Sequence, residues 1–289
     1  VIMGGMVFAF ILILQYIGEH FSFLEAVKFA GASGKMQIVD LEPNFESRYT
    51  IWSGLTGGLF LALSYFGTDQ SQVQRYISAS SVKQSRMGLM FNAVLKIPMQ
   101  FFILFTGVML FVFYQAEKQP ISFNQEVIAQ VLNSDQSDKG EKLMLQFDEI
   151  QNEKNALVKS SGLDKMDEID RLQIDQASIK SEFNALSESI NIDVPTKDSD
   201  YVFIRFILDY LPHGAIGLLL AVILSAAMSS TAGELNALAT TTMNDFVKRL
   251  GNQELDERKQ VLYSKLITVG WGLLAIAFAL AANLFDNLI

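Results

Sequence analysis

The chain has 289 residues, of which 50% are hydrophobic, 22 are phenylalanine and 2 are histidine. It contains no cysteine, which excludes disulfides, thiol catalysis and cysteine-ligated metal sites, and so few histidines make a histidine-rich metal site unlikely on composition alone. The net charge of -9 comes from residues 117–200, which hold 18 acidic and 9 basic residues, so the sequence indicates no nucleic-acid partner.

Charged residues are nearly absent from five stretches that are about as long as a membrane-spanning helix. A hydrocarbon core of about 30 Å requires about 20 helical residues, whereas a water-soluble helix of that length carries a charged face. The sequence therefore predicts an all-α membrane protein. The predicted spans are residues 1–17, 50–69, 86–115, 213–244 and 263–285.

The loops between these spans predict the topology. Residues 69–86 and 245–265 are short and rich in Lys and Arg, which favours the cytoplasmic side. The loops 18–48 and 117–200 then lie outside. Because the chain begins in an apolar run without a charged leader, we interpret it as the middle of a longer protein. Its predicted parts are transmembrane residues 1–116, an extracytoplasmic insertion at 117–200, and a surface helix with further transmembrane helices at 201–289.

The second span combines glycines with aromatic and polar residues. Gly57, Gly58 and Gly67 favour either a discontinuous helix that faces a cavity or a continuous helix that packs closely. The candidates here for a substrate site or gate are Tyr65, Phe66, Asp69 and Gln70.

Lys96 is the one charge within the third span after Arg86. From that depth its side chain reaches the membrane surface with difficulty, so we expect it to face the protein interior, toward a carboxylate or a polar ligand. Pro98 follows closely and is expected to kink the helix.

The segment 117–200 has the pattern of an αα-hairpin. Apolar residues recur at spacings of three, four and seven on both sides of a break at Ser160–Gly162. They are Leu143, Phe147, Ile150, Leu157, Leu172, Ile179, Phe183, Leu186 and Ile190. The hairpin is either a docking site for an extracytoplasmic partner or a self-packed insertion, and its charged flanks favour the insertion. A short amphipathic helix is predicted at 201–211.

The fourth span is rich in small and hydroxylated residues. Ala226, Ser229 and Ser230 stand at positions i, i+3 and i+4 and therefore share a helix face. One carbonyl and two hydroxyls on a face form half of an oxygen cage for a hard cation such as sodium, although serines there also serve packing or bond their own helix. Glu234, one turn further on, is either a functional intramembrane carboxylate or a paired structural group.

Five motifs, in their order along the chain, resemble those of the sodium/solute symporter family, which includes the sodium–glucose cotransporters. The resemblance is to a bacterial-type member of that family. The motifs are GTDQSQVQR at 67–75, SASS at 78–81, Lys-Ile-Pro at 96–98, SSxxxxxN at 229–236 and Asn-Asp at 244–245. The resemblance implies a leucine-transporter-type fold of two inverted five-helix repeats, in which this chain supplies core helices five to nine.

The same resemblance implies roles for individual residues. The family's sodium site falls on Ala226, Ser229 and Ser230, and its gate aromatic falls on Tyr65, with Phe66 beside it. A sugar-contacting Asn of the family falls on Ala62, which loses that hydrogen bond, whereas a sugar-contacting Lys falls on Lys96. Glu234 matches none of the family's ligands.

The predicted function is sodium-driven import of a small organic solute, with sodium as the coupling ion and a sugar or polyol among the candidate solutes. No nucleotide-binding loop or nucleophile elbow is present in the sequence, which weighs against an enzyme or a primary pump. The expected location is the lipid bilayer of a bacterial cytoplasmic membrane. The alternatives are a symporter-like sensor module of a signalling protein and a docking protein that acts through the hairpin.

Overall fold

The computed structural model describes residues 2–37, 41, 50–190, 198–249 and 256–285, and every regular element in these ranges is helical. Parts of the predicted loops 18–48, 117–200 and 245–265 lie outside the described residues. The helices are α1 (Ile2–Ile17), α2 (Phe23–Ala32), α3 (Ile51–Gly67), α4 (Gln70–Ile77), α5 (Val82–Ala116), α6 (Gln125–Leu132), α7 (Ser137–Ser161), α8 (Met166–Ser189), α9 (Tyr201–Tyr210), α10 (His213–Thr241) and α11 (Glu257–Phe285). A 3-10 turn (Gly162–Lys165) joins α7 to α8, and a π-helix (Thr242–Lys248) continues α10.

The predicted all-α membrane architecture is confirmed. Of the described helices, α5, α10 with its π-helical extension, and α11 are long and apolar enough to cross a membrane. The helices α1 and α3 are apolar but have only 16 and 17 residues. All five coincide with predicted spans, because exclusion of charge is the strongest signal that a hydrocarbon environment leaves in a sequence.

One compact unit comprises residues 1–38 and 97–220. Its core lies where α1, α2 and α9 meet the C-terminal half of α5. Phe113, on α5, is 1% exposed and contacts four aromatic rings at centroid distances from 4.8 to 5.9 Å. Aromatic pairs at such distances stabilise a core beyond the area they bury.

The helical hairpin of α7 and α8 belongs to this unit, and its buried seam differs from the predicted one. Ile150 and Leu157 are only partly buried, whereas Gln151 and Lys154 are almost fully buried. The buried seam on α7 runs from Phe147 through Gln151 and Lys154 to Val158, at spacings of 4, 3 and 4 residues. Two of these four side chains are polar. The hairpin therefore contains a polar layer within its apolar contact.

A second unit comprises residues 39–96 and 221–289. Within it, α3 begins with a capping box between Thr50 and Ser53 and continues without a break through Gly57 and Gly58. A Cβ at either glycine would meet no described atom within 4 Å, so these glycines neither interrupt the helix nor serve close packing against the residues that the structure describes. The helix ends instead at Gly67, just before Asp69 caps α4.

The third predicted span is a single helix, α5, of 35 residues that continues through Pro98. Proline removes one backbone hydrogen bond from a helix interior, and the turns on both sides keep the helical conformation here.

Candidate functional site

The hydroxyls of α10 fall into two groups. Ser225 donates to the carbonyl of Ala221 at 2.8 Å, Thr231 donates to that of Ala227 at 2.9 Å, and both hydroxyls are thereby used within their own helix. Ser229 and Ser230 are exposed and form no hydrogen bond with any residue that the structure describes. Their oxygens are therefore available to a ligand.

Ala226 completes this face of α10. It lies one turn before Ser229 and Ser230 on a continuous α-helix, so its carbonyl and the two hydroxyls are neighbours on the helix surface. Since Ser230 does not bond back to Ala226, no side chain in the described part of the chain uses the remaining lone pair of that carbonyl. Neutral oxygens of this kind suit a hard monovalent or divalent cation better than a soft metal. In the ranges that the structure describes, no cluster of three His, Cys, Asp or Glu residues is present.

Two other predicted site residues lie close together. The Lys96 Nζ atom lies 5.4 Å from the centroid of the Tyr65 ring, a cation–π distance. Phe66 contacts Tyr65 edge-on, with ring centroids 5.0 Å apart. Lys96 is exposed and forms no ion pair with a carboxylate of the described residues, so its ammonium group is available to a carboxylate or a polar ligand.

The remaining candidates in this region have different surroundings. Ala62 lies one turn before Tyr65 on α3 and is partly exposed, so it adds only a methyl group there. The carboxylate of Asp69 caps α4, where it accepts hydrogen bonds from the backbone N–H and the hydroxyl of Ser71 at 2.9 and 2.8 Å. Gln70 is exposed in the first turn of α4. The structure thus gives Asp69 a capping role.

A contact between α4 and α10 was missed by the sequence analysis. Gln74 Nε2 donates to Thr240 Oγ1 at 3.5 Å, and a Cβ built on Gly233 would lie 3.4 Å from Nη2 of Arg75. In the sequence, Arg75 contributes to the basic loop 69–86 and to the motif at 67–75, and neither indicates a contact with α10. A single sequence contains no signal that pairs these two helices.

Glu234 is exposed and has neither an ion pair nor a hydrogen bond with the described part of the chain. It lies next to Gly233 and four residues after Ser230. On the other side of this region, Trp271 of α11 donates from Nε1 to Thr242 Oγ1 at 2.9 Å. The helix with the free serines is therefore held by polar contacts toward its C-terminal end.

Comparison with known proteins identifies relatives of this chain. The model of the sodium:solute symporter family matches residues 185–288. The human sodium/iodide cotransporter is 35% identical over 80 residues, which are 28% of this chain and 12% of that protein. The rabbit sodium-dependent multivitamin transporter is 23% identical over 256 residues, 86% of this chain and 28% of that protein. The mouse sodium-coupled monocarboxylate transporter 2 is 22% identical over 285 residues, 98% of this chain and 35% of that protein.

No solved structure matches the chain. The chain spans only between 12% and 35% of the length of these three relatives. The names of these three refer to iodide, vitamins and monocarboxylates, and none of the three names refers to a sugar or a polyol. The family match over residues 185–288 and the alignment of 98% of the chain with a sodium-coupled transporter agree with the motifs and the apolar helices, and the chain is similar to members of the sodium:solute symporter family.

Proposed function

We propose that the protein is a sodium-coupled symporter for a small organic solute and that this chain supplies part of its sodium and substrate sites. The observation that carries the proposal is the pair of free hydroxyls at Ser229 and Ser230, on a helix whose neighbouring hydroxyls bond their own backbone. Relatives that align with most of the chain are named as sodium-dependent or sodium-coupled transporters, which supports the same conclusion.

In this proposal sodium binds the Ala226 carbonyl and the hydroxyls of Ser229 and Ser230, and further oxygens come from a helix outside this chain. Sodium bound there stabilises the outward-open state and thereby promotes solute binding. Release of sodium to the inside then opens the site inward by alternating access. Inward movement of one charge supplies about 2.3 kcal/mol per 100 mV of membrane potential, in addition to the concentration gradient.

The proposed substrate is a small organic anion. Lys96 presents an ammonium group beside the Tyr65 ring, and the described residues provide no carboxylate that neutralises it. A positive group favours a carboxylate ligand over a neutral polyol, because it forms a charge-assisted hydrogen bond with the carboxylate. Ala62 also offers no hydrogen bond to a sugar hydroxyl. The names of the monocarboxylate and iodide transporters, both for anions, support this choice over the sugar or polyol of the sequence analysis.

Sodium-dependent uptake by the full-length protein in proteoliposomes tests the proposal. Ser229→Ala with Ser230→Ala removes both proposed hydroxyl ligands, and we expect sodium-dependent uptake to fall at least about tenfold, since each ligand contributes energy of the order of a hydrogen bond to a charge. Ser225→Ala is the matched control, because that hydroxyl already bonds Ala221. Unchanged sodium dependence in the double variant would refute the sodium site.

Competition between solutes tests the substrate class. Propionate and lactate are expected to be taken up by the wild-type protein, whereas glucose and myo-inositol are not. Lys96→Gln is expected to raise the KM for the carboxylate at least about tenfold, because the charge-assisted hydrogen bond is lost, while Lys96→Arg retains more of the activity. Uptake of a neutral sugar that depends on Lys96 would instead support the sugar assignment.

We also propose that the protein lies in a bacterial cytoplasmic membrane, with residues 69–86 and 245–265 inside and the α7–α8 hairpin outside. The basic composition of both short loops supports this orientation. The hairpin is expected to be exposed to water in either orientation, since residues 137–189 carry 12 of the 31 acidic residues of the chain.

A further inference from the structure

Glu234 is the only residue with an ionisable side chain between Gly214 and Thr242. A carboxylate within a membrane is costly unless it is paired, hydrogen-bonded or open to water. Glu234 has no such protein partner among the residues that the structure describes, and the proposed function assigns it no role. The proposed sodium site alone therefore does not explain how this carboxylate is stabilised within a membrane.

Arg75 is a candidate for a partner. Its Nη2 atom lies 3.4 Å from the position that a Cβ of Gly233 would occupy, so the guanidinium group lies against the backbone of the residue next to Glu234. Arg75 likewise forms no ion pair with the described residues. Two opposite charges without partners thus lie on two helices that are already in contact.

The packing of α4 on α10 fixes this approach. The Gln74–Thr240 hydrogen bond holds the same two helices together two turns further along α10. Gly233 and Thr240 are seven residues apart and therefore share one face of α10. The guanidinium group therefore lies at the surface of α10 beside Gly233, the residue next to Glu234.

We propose that Arg75 is the counter-charge of Glu234 in the membrane-embedded protein, and that this pair sets the sodium affinity of the proposed site. Glu234 follows Ser230 by four residues, so it lies about 6 Å further along the helix axis than a proposed sodium ligand. Together the two charges nearly cancel at the site. Either charge alone acts strongly on a cation at that distance, because screening is weak away from water.

The proposal rests on the proposed function and predicts shifts of opposite sign. Glu234→Gln leaves the positive charge of Arg75 near the site, and we expect the sodium concentration for half-maximal uptake to rise at least about fivefold. Arg75→Gln leaves the carboxylate, and that concentration is expected to fall. The double variant Arg75→Gln with Glu234→Gln is expected to return toward the wild-type value. Loss of a structural contact alone would not give opposite shifts.

Matched controls separate this effect from a general effect of charge. Arg86→Gln and Glu257→Gln remove one charge each from exposed positions of the same unit, and neither is expected to change the sodium concentration for half-maximal uptake. Gly233→Leu displaces the guanidinium group and is expected to act like Arg75→Gln, whereas Gly233→Ala only reaches ordinary contact distance. Shifts of equal sign for Glu234→Gln and Arg75→Gln, or no shift in either, would overturn the proposal.

A measurement without transport keeps the proposal separate from the proposed function. The melting temperature of the purified full-length protein in detergent is expected to fall in each single variant and to recover in the charge swap Arg75→Glu with Glu234→Arg. Additive losses in the swap would contradict the pair. Sodium-independent uptake by the wild-type protein, together with recovery in the swap, would refute the sodium-coupled function and its affinity effect but leave the pair intact.

Discussion

Replacement of Lys154 by methionine tests how the α7–α8 hairpin tolerates a buried charge. The side chain is 1% exposed, and its Nζ atom donates to the neutral Oε1 atom of Gln176 at 2.5 Å. No carboxylate in the described part of the chain pairs with it. Burial lowers the pKa of Lys154 from 10.5 to about 8. At pH 7 the amine is therefore still charged in the folded hairpin, and this buried charge lowers the stability of the hairpin.

The size and the sign of this cost follow from the two pKa values. At 1.36 kcal/mol per pH unit, a fall from 10.5 to about 8 lowers the stability of the hairpin by about 3 kcal/mol below pH 8. Above that pH the folded state releases the proton while the unfolded chain retains it up to pH 10.5, so stability rises with pH. Raising the pH from 7 to 9.5 regains about 2 kcal/mol of this cost.

Lys154→Met removes the charge, fills a similar volume and leaves one oxygen of Gln176 without its donor, which costs about 1–3 kcal/mol. The informative quantity is therefore the difference between variant and wild type at two pH values. We expect the stability of the variant relative to the wild type to be about 2 kcal/mol more favourable at pH 7 than at pH 9.5.

Native-state proteolysis of the full-length protein in detergent measures this difference, because cleavage within the hairpin tracks its local opening when reclosing is fast. The ratio of the wild-type to the Lys154→Met cleavage rate cancels the pH dependence of the protease. This ratio is expected to fall about 30-fold between pH 7 and pH 9.5. Lys142→Met, an exposed position on α7, is the control. A ratio that does not change with pH would contradict the inference that Lys154 is both buried and charged at pH 7.

Two further predictions concern the hairpin and the orientation of the protein. Gly140→Ala places a Cβ 2.5 Å from Cγ1 of Val131, so it is expected to destabilise the hairpin by about 1–3 kcal/mol in the same cleavage assay, with Gly107→Ala, which meets nothing within 4 Å, as the control. In a full-length protein without cysteines, a membrane-impermeant maleimide is expected to label Asn152→Cys and not Ser80→Cys in intact cells, and the reverse pattern would invert the proposed topology.

The membrane-spanning helices are predictable from the sequence because lipid imposes one condition, the absence of charge, on about twenty successive residues. Short helices obey no such condition, and α2 and α6 were missed, although the short amphipathic helix predicted at 201–211 corresponds to α9. The helix α2 begins at a capping box in which Ser22 and Glu25 bond each other's backbone, and α6 begins where Asn124 caps its first turn. The spacing of Ser22 and Glu25 is a readable signal, but the cap of α6 by a single asparagine is a weak one.

The polar seam of the hairpin shows a second limit of the sequence. A heptad pattern selects apolar residues, so it assigned Ile150 to the seam that Gln151 occupies. Only the fold reveals the partners that make a buried glutamine and a buried lysine acceptable, since they come from Gln176 on α8 and from the end of α5.

The candidate site was likewise predictable from the sequence only in part. Helical spacing alone places Ala226, Ser229 and Ser230 on one face. Whether a hydroxyl bonds its own backbone depends on its rotamer, which the sequence does not record. The approach of Lys96 to Tyr65 joins two helices, and no local pattern predicts it.

The contact between Gln151 and α5 has a consequence for how the protein comes apart. The last carbonyls of a helix lack partners within it, and the Gln151 side chain donates to that of Tyr114, in the last turn of α5, and to that of Glu117, just after the helix, at 3.4 and 3.1 Å. Opening the hairpin would therefore strip hydrogen bonds from the end of a membrane-spanning helix. The α7–α8 hairpin and the end of α5 are expected to unfold cooperatively, so deletion of the hairpin is expected to destabilise the end of α5.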